Sequence, residues 1–128
     1  MNESEELLAV FREEAADLLS GLTRTLVQLE TAELGEDRTK KIREVFRLAH
    51  TLKGSAATAG RGDIAELAHA LESALDAVRR GTLQPSKAVI DASLSAVDLL
   101  EKHLIDVLDP VRLLEVAAVL DSVRTGGA

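Results

Sequence analysis

The chain of 128 residues has no cysteine, no tryptophan and no tyrosine, and its aromatic content is two phenylalanines. The missing cysteine excludes disulfides, thiolate metal sites and thiol nucleophiles. The missing aromatics leave no platform on which nucleobases could stack. Positive charge is also in deficit: the formal net charge is -7 and the isoelectric point about 4.9. An acidic surface repels phosphate backbones, so no nucleic-acid partner is expected. No apolar run approaches the roughly 18 residues of a membrane span. No basic stretch followed by an apolar one opens the chain, so neither a secretory signal nor a membrane partner is expected, and the cytoplasm is the expected location.

What is present in quantity is aliphatic. The hydrophobic fraction is 46%, nearly all Leu, Val, Ile and Ala, enough for one domain with a core of helices packed on helices. We read residues 1–128 as one domain, without internal repeats, with residues 124–128 as a fraying tail. Met1 followed at once by a helix reads as a natural N-terminus. The Gly-Gly-Ala tail leaves open whether the domain stands alone or begins a larger protein.

Sparse punctuation predicts five helices. The first opens at Asn2, with Glu5 at capping-box spacing, and carries Leu7, Leu8, Phe11, Ala15, Leu18, Leu22, Leu26 and Leu29 at helical intervals. Residues 33–37 break it. The second carries Ile42, Val45, Phe46, Ala49, Leu52 and Ala56 and stops near Gly60. Asp63, with Glu66 three residues on, is the expected N-cap of the third, whose stripe is Ile64, Leu67, Ala68, Leu71, Leu75 and Val78. Arg79 and Arg80 suit its C-terminal dipole, and Gly81 its C-cap. Pro85 and Ser86 start a fourth helix bearing Val89, Ile90, Leu94, Val97, Leu100, Leu104 and Val107. His103 near its end reads as a dipole partner. Asp109 and Pro110, an N-cap and a first-position proline, open a short fifth helix with Val111, Leu114, Val116, Ala117, Leu120 and Val123. Short connections make successive helices antiparallel. The expected fold is all-α: an up-down four-helix bundle with the short fifth helix packed alongside.

One run stands apart from this scaffold: Ala49-His50-Thr51-Leu52-Lys53-Gly54-Ser55-Ala56. At about 100° per residue, His50 lies at the edge of the apolar stripe, with Arg43, Arg47 and Gly54 on its flank. A half-buried histidine is by itself an ordinary structural residue. Here, however, Lys53 stands one turn away, where side chains meet, and its ammonium suits a phosphoryl group on the imidazole. Gly54 inside a helix costs about 0.5–1 kcal/mol relative to Ala, and the absent side chain leaves room for a partner beside the ring. On the third helix, Glu72 has nearly the same angular offset as His50 on the second, with His69 and Asp76 to either side. Antiparallel packing brings Glu72 within reach of one ring nitrogen. There it would fix the tautomer and leave the other nitrogen as a nucleophile. His50, His69 and Glu72 would offer a metal two nitrogens and a carboxylate but no fourth ligand, so no metal is expected.

The run from Ala49 to Gly60 resembles the phosphorylation motif of histidine-containing phosphotransfer domains, and most resembles the N-terminal domain of chemotaxis histidine kinases of the CheA type. Leu67-Ala68-His69-Ala70-Leu71-Glu72 matches the same family, as do Phe11, Glu14, Asp17, Leu18, Leu19 and Leu22 in the first helix. Ala59 and the Ser-Ala-Ala of 55–57 are closer to the general family than to its chemotaxis branch. The resemblance implies that His50 accepts a phosphoryl group, that Glu72 orients its ring, that Lys53 and His69 support the site, and that Gly54 gives partners access. The implied partners are a histidine kinase catalytic domain and a response-regulator receiver domain, with the isolated module monomeric. No cofactor is expected in this chain, which has no Gly-rich nucleotide loop; ATP and Mg²⁺ belong to the partners. Two rivals stand beside this: a non-catalytic helical adaptor, for which His50 is dispensable, and a degenerate phosphotransfer domain that docks receivers without accepting phosphate.

Overall fold

A computed structural model of the protein describes residues 2–106 and 110–126. Five helices follow one another: α1 (Glu3–Thr31), α2 (Glu36–Thr58), α3 (Gly62–Arg79), α4 (Lys87–Ile105) and α5 (Pro110–Arg124). The local signals act largely as expected. Asn2 Oδ1 accepts the Glu5 backbone N–H at 2.8 Å at the start of α1, and Ser86 Oγ accepts that of Val89 at 3.3 Å at the start of α4. Pro110 takes the first position of α5, while the predicted cap Asp109 and the stripe residue Val107 lie outside the described residues. At the end of α2 the backbone turns left-handed at Gly60 (φ +76°), and the Arg61 N–H bonds back to the Ala56 carbonyl at 2.8 Å. Only glycine takes this conformation without strain. Thr125 and Gly126, assigned to the fraying tail, stay bonded to the Asp121 and Val123 carbonyls of the last α5 turn.

Cross-helix contacts accord with antiparallel packing of α1 on α2, α2 on α3 and α1 on α4. Ser55 meets Glu14 between α2 and α1, His50 meets Glu72 between α2 and α3, and Thr23 meets Glu101 between α1 and α4. The four long helices form the bundle, and α5 lies against α3 and α4. Leu19, Leu22, Leu52, Leu67, Leu71 and Leu100 are fully buried at its centre. Ala15, Ala49, Ala56, Ala68 and Ala96 are fully buried among them, and small side chains at a helix contact allow close approach.

Three expectations shift. In α1 it is Leu19, four residues after Ala15, that enters the core, while Leu18 is half-buried and Leu7 is exposed. In α5 only Leu113 and Leu120 are buried, and Val111 and Leu114 face outward, because apolar residues surround the helix and its periodicity does not single out one face. At the start of α3 the N-cap position is Arg61, and Asp63 already lies inside the first turn.

Asp63 is employed elsewhere. Its carboxylate accepts hydrogen bonds from Arg61 and from Nε2–H of His103, whose side chain is 1% exposed. His103 is thus a buried tie between the end of α4 and the start of α3, not simply a group facing the α4 dipole. Burial pushes the Asp63 carboxyl up, but bonds from Arg61, His103 and the Ile64 N–H outweigh it and hold it well below the usual carboxylate range. A carboxyl lowered in the folded state stabilises fully above its unfolded value near 3.9, and that stability is lost as pH falls further. Urea unfolding across this range should therefore show a midpoint that drops below about pH 4. Asp63→Ala, which takes the acceptor from His103, should cost about 1–3 kcal/mol at neutral pH and weaken the acid dependence.

Candidate functional site

The site lies on the α2–α3 seam, and helical periodicity builds both halves. On α2, Phe46, His50 and Lys53 follow one another at steps of four and three residues. On α3, Glu72, Asp76 and Arg79 do the same, so two matched ridges run antiparallel along the seam.

The His50 side chain is 62% exposed, and its Nδ1 lies 2.5 Å from Glu72 Oε2. The other Glu72 oxygen accepts the Lys53 ammonium at 2.9 Å. Glu72 is itself only 12% exposed. Burial pushes its carboxyl up, yet the bonds and charges of Lys53 and His50 hold it below its ordinary value. An ionised carboxylate offers only acceptors, so Nδ1 carries the hydrogen and donates it. The lone pair is then on Nε2, to which no hydrogen bond is made among the described residues. In the Nδ1–H tautomer, the nitrogen able to act as nucleophile is therefore left uncovered.

Four of the five sequence-derived residues meet here: His50, Glu72, Lys53 and Gly54. Gly54 is exposed, and a methyl group added there would touch nothing within 4 Å. Gly54→Ala should therefore raise stability by about 0.5–1 kcal/mol, read from the denaturation midpoint, because the helix gains propensity without a clash. His69 is placed differently. It lines the groove between α3 and α5 with Glu66, Ser73, Leu114 and Asp121, and no hydrogen bond joins it to His50 or Glu72 among the described residues. The structure thus places it on the side of α3 that faces α5. No group of three or more His, Asp or Glu among the described residues is arranged to hold a metal ion.

Three features escape the sequence reading. Phe46, counted there as core, is half-buried and stacks beside the imidazole, with centroids 6.1 Å apart and planes inclined by 23°. The Arg79 guanidinium, expected only to suit the helix dipole, lies over that phenyl ring at 4.6 Å. On the opposite flank, Ser55 Oγ donates to Glu14 of α1 at 2.8 Å, and a groove beside His50 is lined by Leu7, Val10, Phe11, Gly54 and Thr58. Leu7 and Val10 are 47% and 61% exposed, so the surface next to the ring is apolar. The four-residue step from Phe46 to His50 and the seven-residue step from Glu72 to Arg79 were visible signals; the pairing across helices was not.

Comparison with known proteins agrees with this geometry. The family model described as "Hpt domain" matches residues 6–123. The chain belongs to the Hpt domain family. This Hpt domain is 37% identical over 102 residues to the chemotaxis protein CheA of Borreliella burgdorferi, a match covering 80% of the chain and 12% of that protein. It thus spans only a small part of that relative's length. Its fold matches that of a solved structure, the phosphorylated P1 domain of CheA3 in complex with CheY6 from R. sphaeroides. The TM-score is 0.84 and the identity 22%, with 96% of this chain and 98% of that one covered. No helix among the described residues of this Hpt domain is long and apolar enough to cross a membrane.

Proposed function

We propose that the domain is the histidine phosphotransfer module of a chemotaxis-type two-component system, with His50 as the residue that is phosphorylated. The observation that carries this reading is the exposed imidazole whose Nδ1 is tied to a half-buried, ionised Glu72. A histidine serving only the fold would be covered, as His103 is.

In the first step the Nε2 lone pair attacks the γ-phosphorus of ATP held by a separate kinase domain. The N–P bond forms, the P–O bond to the leaving group breaks, and its electron pair departs on ADP. Nδ1 keeps its hydrogen, and the positive charge that develops on the ring is met by Glu72. In the second step a carboxylate oxygen of a receiver-domain aspartate attacks phosphorus, and the N–P electron pair returns to Nε2. Lys53 pairs with Glu72 in the free domain and lies one turn from the ring, so its ammonium can turn toward a phosphoryl oxygen. Gly54 and the Leu7–Val10 groove provide the flat, partly apolar approach a docking protein needs. The match to a P1 domain in complex with CheY6 supports a receiver as one partner, and the CheA match a kinase as the other. His69, displaced toward α5, has no step assigned to it in this scheme. ATP and Mg²⁺ reside on the partners, and the cytoplasm, where such partners work, is the proposed location.

The test is label transfer. With a chemotaxis-type kinase domain, Mg²⁺ and γ-labelled ATP, the domain should acquire acid-labile, base-stable label that a receiver domain then removes. Binding of the receiver without any uptake of label would instead identify a docking-only domain.

A bulky residue at position 54 checks the approach. Gly54→Trp should slow transfer at least tenfold, because an ångström of misplacement at a reacting centre has effects of that size. Its circular dichroism should match the parent.

A further inference from the structure

We propose that Phe46 and Arg79 are positioning residues for His50, forming a backstop that fixes the plane of the imidazole. This rests on His50 being the phosphoacceptor.

A single hydrogen bond at Nδ1 fixes one point of the ring and its tautomer, but not its plane. The side chain is 62% exposed, so few neighbours remain to restrict rotation about its bonds. Phe46 supplies the missing contact. It lies one turn before His50 on the same ridge of α2, with its ring nearly parallel to the imidazole. One turn after His50, beside Lys53, the helix carries Gly54, where an added methyl group would touch nothing within 4 Å. The imidazole is thus supported on one flank and open on the other, the flank facing the groove along α1.

Phe46 needs support of its own, since a half-buried phenyl at a helix seam has alternative rotamers. Arg79 lies over it at 4.6 Å and is in turn held, with Nε and Nη2 donating to Asp76 Oδ1 at 3.1 and 2.5 Å. The second Asp76 oxygen is in an ion pair with Arg80 Nε at 3.1 Å. A planar guanidinium can stack through its face while donating through its edge; a lysine cannot do both. Glu72 and Asp76 are successive turns of α3. One turn fixes the tautomer of His50 directly, and the next fixes its plane through Arg79 and Phe46.

Two measurements test this. Phosphorylation of the purified domain by a kinase domain, at varied domain concentration, separates docking from orientation. Phe46→Leu should lower kcat about tenfold while KM for the domain stays within about twofold, because what is lost is alignment of the reacting nitrogen. Phe46→Tyr should restore the rate. Arg79→Gln, a surface change, should reduce kcat in the same sense but less, and Arg79→Lys should not fully restore it. Independently of any kinase, ¹⁵N spectra of the histidine rings should show one sharp Nδ1-protonated state for His50 in the parent. In Phe46→Leu that signal should broaden or average, while the buried His103 signal stays in place and reports an intact bundle. Parental kcat together with an unchanged His50 signal in Phe46→Leu, or in Arg79→Gln should the former fail to fold, would overturn the proposal. Absence of label on the parent domain would instead overturn the phosphoacceptor assignment, and the spectra would still decide whether Phe46 orients the ring.

Discussion

His50→Gln is expected to take up no phosphoryl label from a kinase domain and ATP while keeping the helical content and thermal midpoint of the parent. The ring is mostly outside the core, so its loss removes a nucleophile and leaves the packing intact. Glutamine approximates the size and polarity of histidine but has no lone pair on nitrogen able to attack phosphorus, so the loss should be complete within detection. The other two histidines form an internal control. His103 is buried against Asp63, and His69 lies in the α3–α5 groove without a carboxylate bonded to it among the described residues. Neither combines exposure with an orienting acid. Label on His50→Gln at the parental level would contradict the assignment, and label moved to His69 would show that orientation by a carboxylate is dispensable.

Glu72→Ala carries the second large effect. Orienting carboxylates behind reactive or metal-binding imidazoles are worth about 10–100-fold when removed, and a phosphorylation rate reduced by that factor is expected. Two changes act together: the tautomer with its lone pair on Nε2 is no longer enforced, and the charge developing on the ring is no longer met. Lys53 also loses its acceptor. Glu72→Gln separates these. The amide can still accept from Nδ1 but brings no negative charge, so an intermediate rate is expected. Stopped-time labelling of the three proteins side by side checks the order, and equal rates for all three would remove Glu72 from the mechanism. Stability should change little, because the carboxylate is at the seam and not among the aliphatic core.

The contrast between His50 and His103 marks what a sequence can and cannot convey. Both are lone histidines in helical patterns, and each is bound to an acid on α3. His50 was legible because it stands in a run that combines Lys53 and Gly54 at fixed steps, and because Glu72 occupies the matching angular position on the next helix. His103 had no such company. Its partner Asp63 lies forty residues earlier and had a plausible local role as an N-cap, a role the structure gives to the position of Arg61. The periodicity of α1 erred by one residue between Leu18 and Leu19, since both fall within the width of an apolar face and packing against α2 and α4 chooses between them. For α5, apolar on every side, periodicity carried no directional information.

By itself, then, the sequence determined the five helices, their antiparallel order, and the identities of the imidazole, the acid and the ammonium at the site. Those depend on backbone propensity, capping and a 3.6-residue period, which act within a few turns of one chain segment. Only the tertiary structure decided that His69 faces α5, that Asp63 serves His103, and that Arg79 covers Phe46 beside the reactive ring. Each of these depends on how far one helix is rotated and slid against another. Dense packing of the whole aliphatic core settles that degree of freedom, and no local pattern encodes it.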